Sequence, residues 1–169
     1  MKLDVGCGHR FSGDVNLDLF IEATHHRSLN QRKVDDKPLD VKSIPNFVKG
    51  TAEDLPFRSR VFDEVVCFHT LEHIPNVGKA LRELVRVSGE VVRIVVPHRL
   101  GDNWLVKKDH VNHFCPRWFR GLEKLGLKVG VELRYEGFPF RMLGFFLVPK
   151  EIHVEIRRAK DDSLTHNHE

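Results

Sequence analysis

Two glycines stand at the end of an apolar strand within the first eight residues, where Leu3-Asp4-Val5 runs directly into Gly6-Cys7-Gly8. Glycine at such a corner lets the backbone turn tightly and approach a ligand with no side chain in between. A strand ending in this way, followed by further strand–helix alternation, points to an α/β layer fold on a mainly parallel sheet. Ligands of such sheets bind outside the carboxyl ends of the strands. Taken alone, the corner is also compatible with a plain strand-to-turn Gly-x-Gly.

The alternation continues along the chain. Val15–Leu19, Phe47–Lys49 and Val61–Phe68 read as strands. Val91–Val96 is apolar except for Arg93, the pattern of a strand buried on both faces. Asn76 is placed to cap a helix with Val77, Ala80, Leu81, Leu84 and Val85 on one face, stopped by Ser88-Gly89. A second helix opens at Pro116, carries the stripe Trp118, Phe119, Leu122 and Leu125, and ends at Gly126. Leu127, Val129, Val131, Leu133 and Tyr135 then alternate at period two, as a strand with one wet face. Met142–Val148 reads as another strand, and Ile152, Val154 and Ile156 either extend it or add one. Residues 1–158 are expected to form one domain and 159–169 a polar tail.

Composition narrows the class of function. The formal charge is +3 over 169 residues, without the dense basic stripe that marks a nucleic-acid binder. No stretch reaches the roughly 18 apolar residues of a membrane span, and no signal-peptide pattern precedes Leu3, so a cytoplasmic protein is expected. Cys7, Cys67 and Cys115 are odd in number and far apart, which suggests neither a zinc ribbon nor a disulfide framework.

The glycine corner excludes two common nucleotide sites. A dinucleotide fingerprint needs a third glycine where Phe11 stands and an acid about 20 residues on. A phosphate-cradling loop needs Gly-Lys-Ser/Thr, which does not follow. Asp18, at the end of the second strand, is instead placed to accept hydrogen bonds from two ribose hydroxyls.

In this order the segments resemble the class I, Rossmann-like S-adenosylmethionine (SAM)-dependent methyltransferases, and within them the broad group that includes the ubiquinone- and menaquinone-biosynthesis methyltransferases. The likeness lies in Leu3–Gly8, Val15–Leu19, Gly50–Phe57, Phe62–Ile74 and Ala80–Pro97. It implies a single-domain three-layer sandwich whose mostly parallel sheet carries an antiparallel C-terminal strand. It also implies SAM as the cofactor. Asp4, Gly6, Cys7 and Gly8 would surround its methionine part, Asp18 its ribose, and Leu19 its adenine. Thr51 and Ala52 would lie along the adenine edge with Glu53 nearby, and His69 would flank the methionine end. Three features depart from the family. Thr51 replaces the usual Asp. Only nine residues, Gly6–Asp14, join the first two strands, where a parallel crossover takes a dozen or more, so the helix after the glycine loop is expected to be vestigial or absent. Lid helices before the first strand are also expected to be absent, giving a minimal version of the fold.

The resemblance implies methyl transfer by in-line displacement to an acceptor the sequence does not identify. A base assists where the acceptor must lose a proton. His69, His98 and His110 are the candidate bases, each beyond a strand's carboxyl end, with Asp109 placed to orient His110. His73 reads as a helix-start residue. His98, His110, His113 and Cys115 have zinc-ligand chemistry, but their spacing specifies no site and no metal is expected. His69-Thr70-Leu71-Glu72 stands in place of Asn/Asp-Pro-Pro-Tyr/Phe, which disfavours methylation of adenine or glutamine amides. Trp104, Phe114, Trp118 and Phe119 offer an aromatic pocket lining, although Trp118 and Phe119 also fit a core. An open active site favours a homodimer or another partner covering it. The alternative reading is a non-catalytic SAM-binding or scaffold subunit that needs such a partner.

Overall fold

The computed structural model describes residues 1–19, 40–102, 110–137 and 147–158. Trp104, Asp109, residues 142–146 of the expected strand and the expected tail 159–169 lie outside them. Seven strands form one sheet: β1 (Lys2–Val5), β2 (Val15–Asp18), β3 (Phe47–Lys49), β4 (Phe62–Phe68), β5 (Ser88–Pro97), β6 (Leu127–Gly137) and β7 (Leu147–Arg158). Their order is β3-β2-β1-β4-β5-β7-β6. All neighbours from β3 to β5 pair parallel, and β7 runs antiparallel to both β5 and β6. This is the expected mostly parallel α/β sheet with an antiparallel C-terminal strand.

Helix α1 (Val77–Val87) forms as the sequence predicts. The Asn76 side chain accepts the Lys79 N–H at 3.0 Å, satisfying a donor the first turn leaves without a partner. Val77, Ala80, Leu81, Leu84 and Val87 are buried on β4 and β5, and Val85 is half-buried at the margin. The chain passes from α1 into β5 at Ser88 with no intervening loop.

Two expectations are corrected. The element that opens at Pro116 is α-helical only over α2 (Pro116–Arg120) and continues as a 3-10 turn over Gly121–Leu125. Phe119 is fully buried, but Trp118 is 40% exposed and Leu125 72% exposed, because this element lies along β6, the outermost strand. Tyr135 also falls out of the expected buried row of β6. The pairing register shifts between Arg134 and Tyr135, and such a bulge redirects the side chains beyond it. Ile152, Val154 and Ile156 are all buried within the single long strand β7.

The nine-residue link between β1 and β2 contains no helix, as its length requires. Buried Asn16 organises it: its Oδ1 accepts the Gly13 N–H at 3.0 Å, and its Nδ2 donates to Gly13 O at 3.0 Å and Pro45 O at 2.8 Å. The Asp4 carboxylate accepts from both the Ser12 N–H at 2.8 Å and the Ser12 hydroxyl at 3.0 Å. Two buried polar side chains therefore replace the helix that normally supports this crossover. No helix among the described residues is long and apolar enough to cross a membrane.

Candidate active site

The carboxyl ends of β1, β2, β4 and β5 bring the predicted residues to one edge of the sheet. Gly6 has a φ of 74° and its N–H donates to Leu17 O at 2.8 Å, as does that of Cys7 at 3.1 Å. A Cβ on Gly6 would lie 2.1 Å from the Thr70 hydroxyl, so the turn and the neighbouring loop fit only around glycine. The Gly8 N–H donates to the Asp18 carboxylate at 2.9 Å. The glycine loop and the acid of β2 are thus directly joined, with Asp18 only 5% exposed. Leu19 and Phe68, at the ends of β2 and β4, and Phe11, in the loop between β1 and β2, present exposed apolar side chains around this corner.

The 51–57 segment sits beside β2 through Gly50, whose N–H donates to Asp18 O at 3.0 Å. Thr51 accepts the Glu53 N–H on its hydroxyl at 3.2 Å, and Ala52 is buried. The Glu53 carboxylate is engaged elsewhere, accepting the Asn76 N–H at 2.8 Å just before α1. Arg86 holds the same segment from α1. Its guanidinium donates to Phe57 O at 2.8 Å, Leu55 O at 2.9 Å and both oxygens of Glu83, which holds the Glu83 carboxyl below the usual range. The helix pattern did not single out this pair.

The family is decided by the segment that carries these features. A family model described as "Methyltransferase domain" matches residues 3–91, more than half of the chain. The chain belongs to the methyltransferase domain family. An uncharacterized methyltransferase of Bacillus subtilis is 36% identical over 118 residues, covering 67% of this chain and 45% of that protein. A chloroplastic 2-methyl-6-phytyl-1,4-hydroquinone methyltransferase of rice is 26% identical over 162 residues, covering 76% of this chain and 47% of that protein. The chain spans about half the length of these curated relatives. A SAM-dependent methyltransferase from Thermotoga maritima superposes with a TM-score of 0.65 at 16% identity, over 94% of this chain and 82% of that one. The fold is thus that of the SAM-dependent methyltransferases.

Beyond the corner, this methyltransferase domain carries His69 and His73 on the loop after β4 and His110 and His113 on the loop at 110–114. His69 directly follows β4 with a φ of 50°, a left-handed conformation uncommon for non-glycine residues. Its Nδ1 lies 3.6 Å from Glu72 and its Nε2 3.3 Å from Glu151. The loop at 110–114 is fastened to the turn after β4. Val111 and Asn112 donate backbone N–H groups to Glu72 O at 2.8 and 3.1 Å, and Asn112 Nδ2 donates to Ile74 O at 2.7 Å. His110 is thereby set against His73, edge to face at 4.8 Å, with its Nδ1 2.9 Å from buried Asp102. Asp102, Glu72 and Asn112 were not singled out by sequence, since an isolated acid or amide carries no pattern of its own.

His98 plays a different part. It is 6% exposed, and its Nδ1 accepts the Leu100 N–H at 3.2 Å, which leaves the proton of the neutral ring on Nε2. Neither nitrogen of that tautomer is then available as a base. Burial, helped by the charge of Arg99, holds its pKa below the ordinary value. The unfolded chain therefore takes up a proton at higher pH than the folded one. Stability is full above the unfolded value of about 6.5 and falls as pH drops below it. The melting temperature should decline between pH 7.5 and 5.5, and His98→Asn should flatten that decline. Equal slopes for native protein and variant would contradict the assignment.

Cys7 lies in the glycine loop and is only 5% exposed. Burial, with the charges of Asp18 and Asp4 nearby, pushes its thiol up to about 12. Cys67 is buried in β4 and is pushed up as well, while Cys115 is half-buried. Alkylation of the native protein at pH 8 should label Cys115 alone, and all three thiols only after unfolding. Mass spectrometry of the labelled peptides reads this directly, and early labelling of Cys7 would refute it.

Proposed function

We propose that the corner formed by Gly6, Cys7, Gly8 and Asp18 binds SAM and that the loops at 69–74 and 110–114 receive a methyl acceptor. The observation that carries this reading is the hydrogen bond from Gly8 N–H to Asp18, which puts a close-approach backbone and a buried carboxylate side by side at the carboxyl end of a parallel sheet. The donor set fits the cofactor. A carboxylate suits two ribose hydroxyls, and exposed Leu19 suits an adenine face. Gly6 and Gly8 admit the methionine part to the backbone, and Asp4 holds the loop in place through Ser12. Thr51 and Ala52 line the adenine edge, whereas Glu53 acts by tying that segment to the N-terminus of α1.

When bound, SAM supplies an electrophilic methyl on a sulfonium. The chain's contribution is to orient the acceptor and exclude water. His69 and His110 are the residues placed to take a proton from the acceptor, and His98 shapes the loop that follows β5. The test is transfer of labelled methyl from SAM to pooled small metabolites, lipids, RNA and protein by the purified protein. Label should appear in one acceptor class and fall at least tenfold in His110→Ala. Full transfer by that variant would remove His110 from the site.

A further inference from the structure

We propose that Glu72, His73 and His110 bind one divalent transition-metal ion beside the methyl-transfer corner, leaving coordination positions open for an oxygen of the acceptor. With the ion bound His110 is a ligand and His69 alone is left to take the acceptor's proton; this deepens the proposed function and rests on it for the acceptor's role, but not for the metal itself.

The three residues each present one ligand atom, and these atoms lie within 4.8 Å of one another. A tetrahedral ion with bonds of about 2.0–2.1 Å holds its ligands ~3.4 Å apart, so modest side-chain adjustment closes the site. Glu72 is the second observation. It is 1% exposed, and its Oε2 has no hydrogen-bond partner among the described residues. Its other oxygen meets His69 only at 3.6 Å, beyond a normal hydrogen bond. A buried carboxylate oxygen with no donor is costly, and a cation removes that cost.

A third observation concerns His110. Its Nδ1 is held at 2.9 Å by Asp102, itself 4% exposed. A carboxylate on one imidazole nitrogen fixes the tautomer and directs the other nitrogen to a metal, the usual outer arrangement of a metal-bound histidine. The backbone hydrogen bonds from 111 and 112 to Glu72 O fasten the two ligand-bearing loops together.

Two imidazoles and one carboxylate suit zinc, cobalt, manganese or ferrous iron rather than calcium or magnesium. Three protein ligands leave at least one position open, the pattern of catalytic rather than structural sites. Thr70, two residues before Glu72, packs against Gly6, so the turn that carries Glu72 and His73 borders the glycine corner. Of the zinc-type group considered from sequence, only His110 belongs here. Among the described residues, His98, His113 and Cys115 join no such group.

The experiment is titration of Co²⁺, followed by visible absorption, and of Zn²⁺, followed by calorimetry, into EDTA-treated full-length protein. One ion per chain is expected. His110→Ala and Glu72→Gln should weaken binding at least 100-fold, Asp102→Asn about 10- to 100-fold, and His153→Ala not at all. Glu72→Gln removes a buried charge, so its metal-free melting temperature should equal or exceed that of the native protein; a folded variant that binds no ion supports the site. Absence of one-to-one binding by the native protein, or binding unchanged in His110→Ala, overturns the proposal. S-adenosylhomocysteine titrated into the same metal-free protein separates the two claims. Its binding without metal uptake removes the ion alone, and metal uptake without it removes the methyltransferase reading alone.

Discussion

Gly13→Ala is expected to lose roughly 3–5 kcal/mol of stability, from overpacking plus disrupted buried hydrogen bonds. A Cβ at this position would lie 2.5 Å from Val15 O and 2.8 Å from Asp4 N, both backbone atoms of central strands. Neither can move without dragging β1 or β2 with it. Displacing residue 13 would also break its two hydrogen bonds with buried Asn16 and disturb that of Asp14 N–H to Lys2 O at 2.9 Å. That loss is a large part of the ~5–15 kcal/mol that holds a domain folded. Urea unfolding measures it. Gly121→Ala is the control, since its Cβ would meet nothing within 4 Å and its backbone is already helical. That change should be neutral or stabilise by up to about 1 kcal/mol. Equal effects of the two substitutions would show that the short crossover is not closely packed.

Asp18→Ala should weaken S-adenosylhomocysteine binding at least 100-fold. Two hydrogen bonds from ribose hydroxyls to a charged acceptor are together worth about 3 kcal/mol or more, which corresponds to a factor above 100. The same substitution takes the acceptor from Gly8 N–H, so the glycine loop loses its tie to β2. Asp18→Asn separates the two losses. Its amide oxygen can still accept from Gly8, but it cannot accept from both hydroxyls on two oxygens. Melting temperature should recover in the Asn variant while affinity stays well below that of the native protein. Calorimetry and thermal unfolding of the three proteins decide this. An Asp18→Ala protein with native affinity would place the ribose elsewhere.

The sequence made the sheet legible because each of its signals is local. Val91–Val96 declares a doubly buried strand by composition, and Asn76 declares a helix start by its side-chain oxygen. The link from Gly6 to Asp14 shows by its length alone that it holds no helix. Where the chain departs from pattern, the cause is tertiary. Leu125 carries helical spacing, but it lies along the edge strand, and the bulge before Tyr135 turns that residue out of its row. The same limit applies to the candidate site. Gly6, Gly8 and Asp18 announce themselves by position after strands. Beside local contacts, Asn16 and Arg86 bond backbone carbonyls 29 to 31 residues away, Asp102 holds His110 eight residues on, and buried Glu72 meets His110 from 38 residues away, none of which a sequence pattern announces. Glu53 was legible as part of a motif, yet its carboxylate turns to the N-terminus of α1.

The function proposed for this chain depends on its holding SAM at the corner between β1 and β2. Calorimetric titration of the native protein with S-adenosylhomocysteine, with NAD and ATP as competitors, tests it most directly. One site per chain is expected for S-adenosylhomocysteine, with no competition by NAD or ATP. No binding of S-adenosylhomocysteine, with NAD or ATP bound in its place, would contradict it.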